Sequence, residues 1–148
     1  MMKLAMVVAL CLACAGCQTV SAGGSNYNNE PLVQLTADKA KKHNVPSSLA
    51  VAVVTYESNW DAKALSQGNY GLGQIKCGTA RGIGFEGKCS SLLTPEINLE
   101  YSMRYLRMAL DLAGDDQCKA LTLYNRGLGA KVPTKPTRYC RDVIDLMD

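Results

Sequence analysis

Ser47-Ser48-Leu49-Ala50-Val51-Ala52-Val53-Val54-Thr55-Tyr56-Glu57-Ser58-Asn59-Trp60 is the stretch on which the fold turns. Its middle, Leu49 to Tyr56, is apolar on nearly every side, and by periodicity alone such a run reads equally as a buried helix or a buried strand. The valines favour a strand. Pro46-Ser47-Ser48 decides for a helix, because proline beside short hydroxyl residues marks a helix start. A helix that is apolar all round belongs in a core, yet this one ends in an ionisable side chain, Glu57. Burying a carboxylate is costly unless it is paired or neutral, so burial raises its pKa. A carboxylic acid that holds its proton near neutral pH is suited to general acid catalysis. The competing role for Glu57 is structural, pairing with an arginine or capping a neighbouring helix.

Working outward, the neighbouring segments are also helical. Between Leu32 and His43, Val33, Ala37 and Ala40 recur at i, i+4 and i+7 and the run closes on Lys41-Lys42-His43, a cationic last turn that suits the negative end of a helix. The single histidine is thereby a helix-end residue and not a catalyst. From Asn59 to Lys88 the chain is rich in glycine and reads as loops with one short helix around Gln74 to Ala80. Thr94-Pro95-Glu96 supplies an N-cap, a proline at the first helical position and an acid in the first turn. Ile97, Tyr101, Met108 and Leu112 then fall at helical spacing, and Gly114 ends that helix. Asp115 or Asp116 caps another helix running through Leu121 to Tyr124. A last helix near Thr137 to Met147 aligns Tyr139, Val143 and Leu146. The expected fold class is mainly α, without internal repeats.

The chain's 148 residues leave room for one domain. Apolar residues at 47% and charged residues at 20% are ordinary for a globular protein. A net charge of +3, with cations scattered among acids, does not make the concentrated stripe of a nucleic-acid binder. At the N-terminus Lys3, the apolar run Leu4 to Ala15 and the small residues after it have the order of a secretory signal. That run is too short to span a bilayer, which takes roughly 20 residues. Cys14-Ala15-Gly16-Cys17 resembles a bacterial lipobox, with Cys17 as the lipidated residue and Cys14 where leucine is usual; cleavage after Val20-Ser21-Ala22 is the rival. Gln18, in place of Asp, resembles lipoproteins sent to the outer membrane. The expected organisation is a signal over 1–16, a Ser-, Gly- and Asn-rich tether over 17–31 and a domain over 32–148, in an exported, periplasmic protein held to the outer membrane by its lipid. Four cysteines remain, Cys77, Cys89, Cys118 and Cys140, and an even number in an exported chain reads as two disulfides. Of three pairings, Cys77 with Cys89 and Cys118 with Cys140 is expected, since the first brackets a Gly-rich segment and the second joins consecutive predicted helices. None of these four stands in a C-x-x-C pair, so a metal ranks below the disulfides, and no cofactor is expected.

Glu57-Ser58-Asn59-Trp60, Ser66, Gly71-Leu72-Gly73-Gln74-Ile75, Thr79-Ala80, Pro95-Glu96-Ile97-Asn98, Tyr105-Leu106 and Tyr124-Asn125-Arg126-Gly127 resemble, in order and spacing, the SLT family of lytic transglycosylases. The resemblance runs from about Leu32 to Val143. It implies a lysozyme-like, mainly helical fold with a substrate groove, and cleavage of the β-1,4 bond between N-acetylmuramic acid and N-acetylglucosamine in peptidoglycan. Glu57 matches the family's catalytic acid, while Ser66, Gln74, Tyr124 and Asn125 match positions that line the sugar groove. Serine and glutamine offer hydrogen bonds to acetamido groups, and Tyr124 is placed to orient the acid and present a ring face to sugar. Trp60 is read as core. Two departures stand out: Gly73 replaces a methionine expected in the groove wall, and Arg126 replaces a small residue.

A retaining glycosidase normally uses two carboxylates about 5 Å apart. No second acid stands out, for Asp61, Glu86 and Glu96 read as surface, loop and helix-cap residues. A lytic transglycosylase needs only one, because the substrate's own N-acetyl group and 6-hydroxyl do the rest and the product is a 1,6-anhydro sugar. Two alternatives remain at this level: a muramidase in which water attacks, and a non-catalytic wall-binding lipoprotein serving secretion or cell-wall machinery. The partners expected are glycan strands and a membrane reached through the lipid, with no nucleic acid.

Overall fold

The computed structural model describes residues 29–147. The signal, Cys17 and most of the tether lie outside the described residues. Six α-helices follow within them: α1 Glu30–Lys42, α2 Ser47–Ser58, α3 Cys77–Gly82, α4 Pro95–Ala113, α5 Gln117–Arg126 and α6 Arg138–Ile144. The first begins two residues before the expected domain boundary, with Pro31 in its opening turn, where a missing N–H costs nothing.

The helices pack in a ring: α1 on α2, α2 on α6, α6 on α5, α5 on α4, and α4 back on α1. In α2, Leu49, Ala50, Ala52, Val53 and Val54 are buried, which is the packing its apolar sequence demands. Its serines do not cap it; Pro46 is the N-cap residue and no side chain accepts there. Real side-chain caps occur at α5, where Asp116 accepts from the backbone N–H of Lys119, and at α6, where Thr137 accepts from that of Cys140. Asp115 instead takes a left-handed conformation in the turn after Gly114.

The face of α4 differs from the expected one. Leu99, Met103, Leu106 and Leu110 face the main core, whereas Met108 and Leu112 are exposed. Ile97, Tyr101 and Tyr105 pack on a second, smaller cluster of Ile75, Ala80, Phe85 and Leu92. The helix thus carries two apolar stripes, and the sequence pattern followed the smaller one onward into solvent. In α6, Tyr139 and Val143 are buried but Leu146 lies past the helix end and is exposed.

The Gly-rich region is more ordered than loops. Leu65–Ser66 (β1), Asn69–Tyr70 (β2) and Ile75–Lys76 (β3) form a small antiparallel sheet in that order. Gln67 and Gly68, both at positive φ, make the two-residue hairpin turn between β1 and β2. The short helix starts at Cys77, after β3, and a 3₁₀ helix covers Cys89–Leu93. Two-residue strands leave no alternating pattern long enough to read.

Side-chain polar contacts fix these parts to one another. Lys39 and Lys42 of α1 and His43 at its C-cap converge on Glu100 of α4, each at 2.9 Å. Burial alone would raise the Glu100 pKa, but hydrogen bonds from Lys42, Lys39 and His43 outweigh it and hold the carboxyl at about 2. Cys77 is bonded to Cys89, closing the segment after β3, and Cys118 to Cys140, joining α5 to α6.

Candidate active site

Glu57 sits in the last turn of α2, one residue before the helix ends. Asn59 and Trp60 both take positive φ, 46° and 70°, so the chain turns sharply and leaves the carboxyl at the mouth of a cleft. Trp60 itself is half-buried against the core. The cleft encloses about 420 Å³, and Glu57 is the single carboxylate among the residues lining it. Burial raises the Glu57 pKa; a hydrogen bond from the Tyr139 hydroxyl, at 2.6 Å, offsets part of the rise. Tyr139 stays a protonated donor because its own burial, with the Glu57 charge beside it, pushes the phenol far up. Its ring is held edge-on to Tyr56 at 5.0 Å.

Tyr124, not Tyr139, is the tyrosine that sequence reasoning set beside the acid. It lines the cleft, but its hydroxyl donates to the Gly73 carbonyl at 2.7 Å. Tyr139 went unnoticed as a polar group because its spacing with Val143 reads as core. The useful signal was that a buried tyrosine hydroxyl must find an acceptor.

Asn98, in the first turns of α4, fixes the backbone of the Gly71–Gly73 loop. Its amide nitrogen donates to the carbonyls of Tyr70 and Leu92, at 2.6 and 2.7 Å. Its oxygen accepts from Gly73 N–H at 2.8 Å and Ser102 Oγ at 3.2 Å. This buried amide thus uses both donors and accepts twice. Gly71 is at φ 62°, and a Cβ there would lie 2.6 Å from the Asn98 amide nitrogen. Gly73 is needed for contact: a Cβ would meet the Ser102 Cβ at 2.6 Å and the Tyr124 hydroxyl at 3.0 Å. A Cβ at this position therefore points at Ser102 of α4 and at the Tyr124 hydroxyl.

Gln74, at φ 48°, projects into the cleft, with its amide nitrogen bonded to the carbonyl of Gly71 at 2.9 Å and of Ala64 at 3.3 Å. Asn125 lines the cleft from the end of α5. Ser66 does not. It is exposed on β1, and Asn69, its partner in the hairpin register, lines the cleft in its place. Gln67, Lys76, Thr79, Tyr105 and Arg126 complete the polar wall and were not assigned to it from sequence. Asp61 caps its own turn, accepting from Lys63 N–H at 2.8 Å, and with Glu86 and Glu96 it is exposed and outside the cleft lining.

A single carboxyl whose pKa is raised by burial, in a polar, concave site, suits acid-base chemistry on a hydroxyl-rich ligand. The profile of the family described as transglycosylase SLT domain matches residues 34–142. Among solved structures, a 70-kDa soluble lytic transglycosylase in complex with bulgecin A is 27% identical with a TM-score of 0.61, over 82% of this chain and 19% of that one. The 70-kDa soluble lytic transglycosylase of Escherichia coli is 26% identical at a TM-score of 0.60, over 82% and 18%. An inactive glutamate-to-glutamine mutant of lytic transglycosylase Slt from Pseudomonas aeruginosa shares the fold at 23% identity and a TM-score of 0.61, over 77% and 20%. The chain spans about a fifth of the length of these proteins. With its helical ring and its match to that profile, the chain belongs to the SLT transglycosylase family and has the lysozyme-like fold.

Proposed function

We propose that this protein is a peptidoglycan lytic transglycosylase that breaks the β-1,4 bond between N-acetylmuramic acid and N-acetylglucosamine and leaves a 1,6-anhydro-N-acetylmuramoyl end. The observation that carries the reading is Glu57: one carboxyl lining the cleft, its pKa raised by burial and its orientation fixed by Tyr139. Glu57 protonates the glycosidic oxygen as the bond to the anomeric carbon breaks. The substrate's N-acetyl oxygen then stabilises the cationic carbon. Glu57, now ionised, takes the proton of the muramoyl 6-hydroxyl as that oxygen closes on the anomeric carbon, so the acid ends as it began. Because the nucleophile belongs to the sugar, the second step gains from proximity and needs no second carboxylate.

Gln74, with its amide nitrogen engaged by backbone, offers its oxygen to an acetamido N–H, and Asn125 offers a further polar contact. The Tyr124 ring, beside Tyr105 at 5.5 Å, supports a sugar face while its hydroxyl holds the Gly73 loop. Within the same proposal the chain is exported by its N-terminal signal, lipidated at Cys17 and held at the periplasmic face of the outer membrane, a reading carried by the sequence order of 1–22. Acyl mass on an N-terminal Cys17 peptide tests it, and an unmodified N-terminus at Gly23 overturns it.

The enzyme reading is tested by digesting purified sacculi and weighing the products. Muropeptides one water lighter than hydrolytic ones are expected, and reducing termini alone would make the enzyme a muramidase. Glu57→Gln, the same kind of change that the inactive Pseudomonas aeruginosa protein carries, keeps size and hydrogen bonding but cannot carry the proton. It is expected to reduce cleavage by at least ~10²-fold while remaining folded. A folded variant with near wild-type activity would remove Glu57 from the mechanism.

A further inference from the structure

The cleft wall has an unbalanced charge that the acid chemistry does not use. Lys76 comes from β3, just ahead of α3, and Arg126 from the last turn of α5, and both line the cleft while remaining exposed. Among the described residues neither has a carboxylate within ion-pair distance nor a side-chain hydrogen bond to protein. Other described cations, Lys41, Arg81 and Arg141 among them, also lack an ion pair, but Lys76 and Arg126 are the two that line the cleft. The one carboxyl in the cleft, Glu57, is engaged by Tyr139. It makes no ion pair with either cation among the described residues.

Unpaired cations in a concave site focus positive potential on whatever enters. In a glycan of alternating N-acetylglucosamine and N-acetylmuramic acid, the first sugar is neutral. The second carries a lactyl arm on O-3, which ends in a carboxylate where the peptide is absent and in the peptide's carboxylates where it is present. The planar guanidinium fork of arginine matches a carboxylate in two-point geometry, and lysine adds a mobile point charge.

We propose that Arg126 and Lys76 form a carboxylate-reading subsite that selects muramoyl units whose O-3 arm bears an anion, an inference that rests on the glycan-cleaving reading above. The anion is that of the lactyl group or of the stem attached to it, and the two sources are separated by the substrates used.

The test uses peptide-free glycan strands and peptide-bearing strands, each as the free acid and with carboxyls converted to methylamides. For each protein, kcat/KM on the acid is divided by kcat/KM on the methylamide. The wild-type ratio is expected to be roughly three to ten, the worth of one or two solvent-screened ion pairs, and to fall with added salt. In Arg126→Gln/Lys76→Gln it falls towards one, in Arg126→Lys it is largely kept, and in Arg126→Glu it drops below one. A preference seen only with peptide-free strands assigns the lactyl carboxylate, and one seen only with peptide-bearing strands assigns the stem. A wild-type ratio of one on both, or a ratio unchanged in the double variant, overturns the subsite. Titration of the wild-type protein with soluble tetrasaccharides in acid and methylamide form gives the same comparison without turnover. Acid-selective binding that is lost in the double variant, with no cleavage of any strand, would keep the subsite and sink the enzyme reading instead.

Discussion

Tyr139→Phe removes one oxygen and isolates the contact that tunes Glu57. The phenylalanine ring keeps the edge-on packing against Tyr56 and its place in the core, so the main change is loss of the 2.6 Å hydrogen bond to the carboxyl. Tyr139 is only 7% exposed, so water does not readily take over the lost donor. A hydrogen bond to a charged group contributes ~1.5–3 kcal/mol, and its loss falls on the ionised form of Glu57, so the Glu57 pKa is expected to rise further. In the proposed reaction Glu57 must be protonated at the start. The alkaline limb of kcat/KM against pH should therefore move to higher pH, even if the maximum falls because the carboxyl is less well oriented. Stability gives an independent check. A carboxyl whose folded pKa is raised above 4.5 contributes stability that is fully present below pH 4.5 and is lost as pH rises through the folded value. The variant should consequently lose more stability relative to wild type at pH 8 than at pH 4. An alkaline limb that does not move, in a folded variant whose stability deficit is the same at both pH values, would refute the claim that Tyr139 sets the proton affinity of Glu57.

Three other outcomes follow from the packing and charges. Glu57→Gln should be at least as stable as wild type at neutral pH by thermal unfolding, because it removes a carboxylate that the fold disfavours; marked destabilisation would make Glu57 a structural residue. Gly73→Ala should cost ~1–3 kcal/mol by overpacking against Ser102, and in a double-mutant cycle Ser102→Gly should be less damaging in the Gly73→Ala background than alone; additive losses would show that the loop moves aside. Glu100→Gln should remove stability that is present above pH 4.5 and lost as pH falls towards 2. The shift from 4.5 to about 2 caps this at ~3 kcal/mol, and the exposure of Lys42 reduces it to ~1–2 kcal/mol, read as a shallower acid limb in a denaturant series across pH.

The parts legible in sequence were those set by local chemistry. The all-apolar run of α2, the proline opening α4, the glycine ending it and the Asp116 cap each depend on residues a few positions apart. Glu57 was legible because an acid ending a buried helix conflicts with its surroundings. What was missed depends on contacts between distant segments. The three strands are two residues each and owe their pairing to the Gln67-Gly68 turn and to Asn98, which reaches 28 residues back to Tyr70. Ser66 and Asn69 are paired across that turn and share a face of the sheet, and it is the residue on the central strand, Asn69, that lines the cleft, a placement the local sequence does not show. The two apolar stripes of α4 could be ranked only once the second cluster was visible. Gly73 looked like a gap in a motif and is a contact with Ser102.

The separation of 82 residues between Glu57 and Tyr139 also orders events in time. Helix α2 leaves the ribosome early and is complete in sequence long before α6 exists, so the carboxyl spends that interval without its phenol. Contacts this far apart carry a loop-closure entropy that nearer ones do not, and they tend to form late in folding. The bundle of α1, α2, α4 and α5 can gather most of its apolar contacts beforehand, leaving the docking of α6 as the step that turns a compact chain into one with a tuned acid. The Cys118–Cys140 bond then fixes that step, because Cys140 adjoins Tyr139 on the same helix. The setting of the Glu57 carboxyl is thereby tied to α6, and to an environment oxidising enough to close its disulfide.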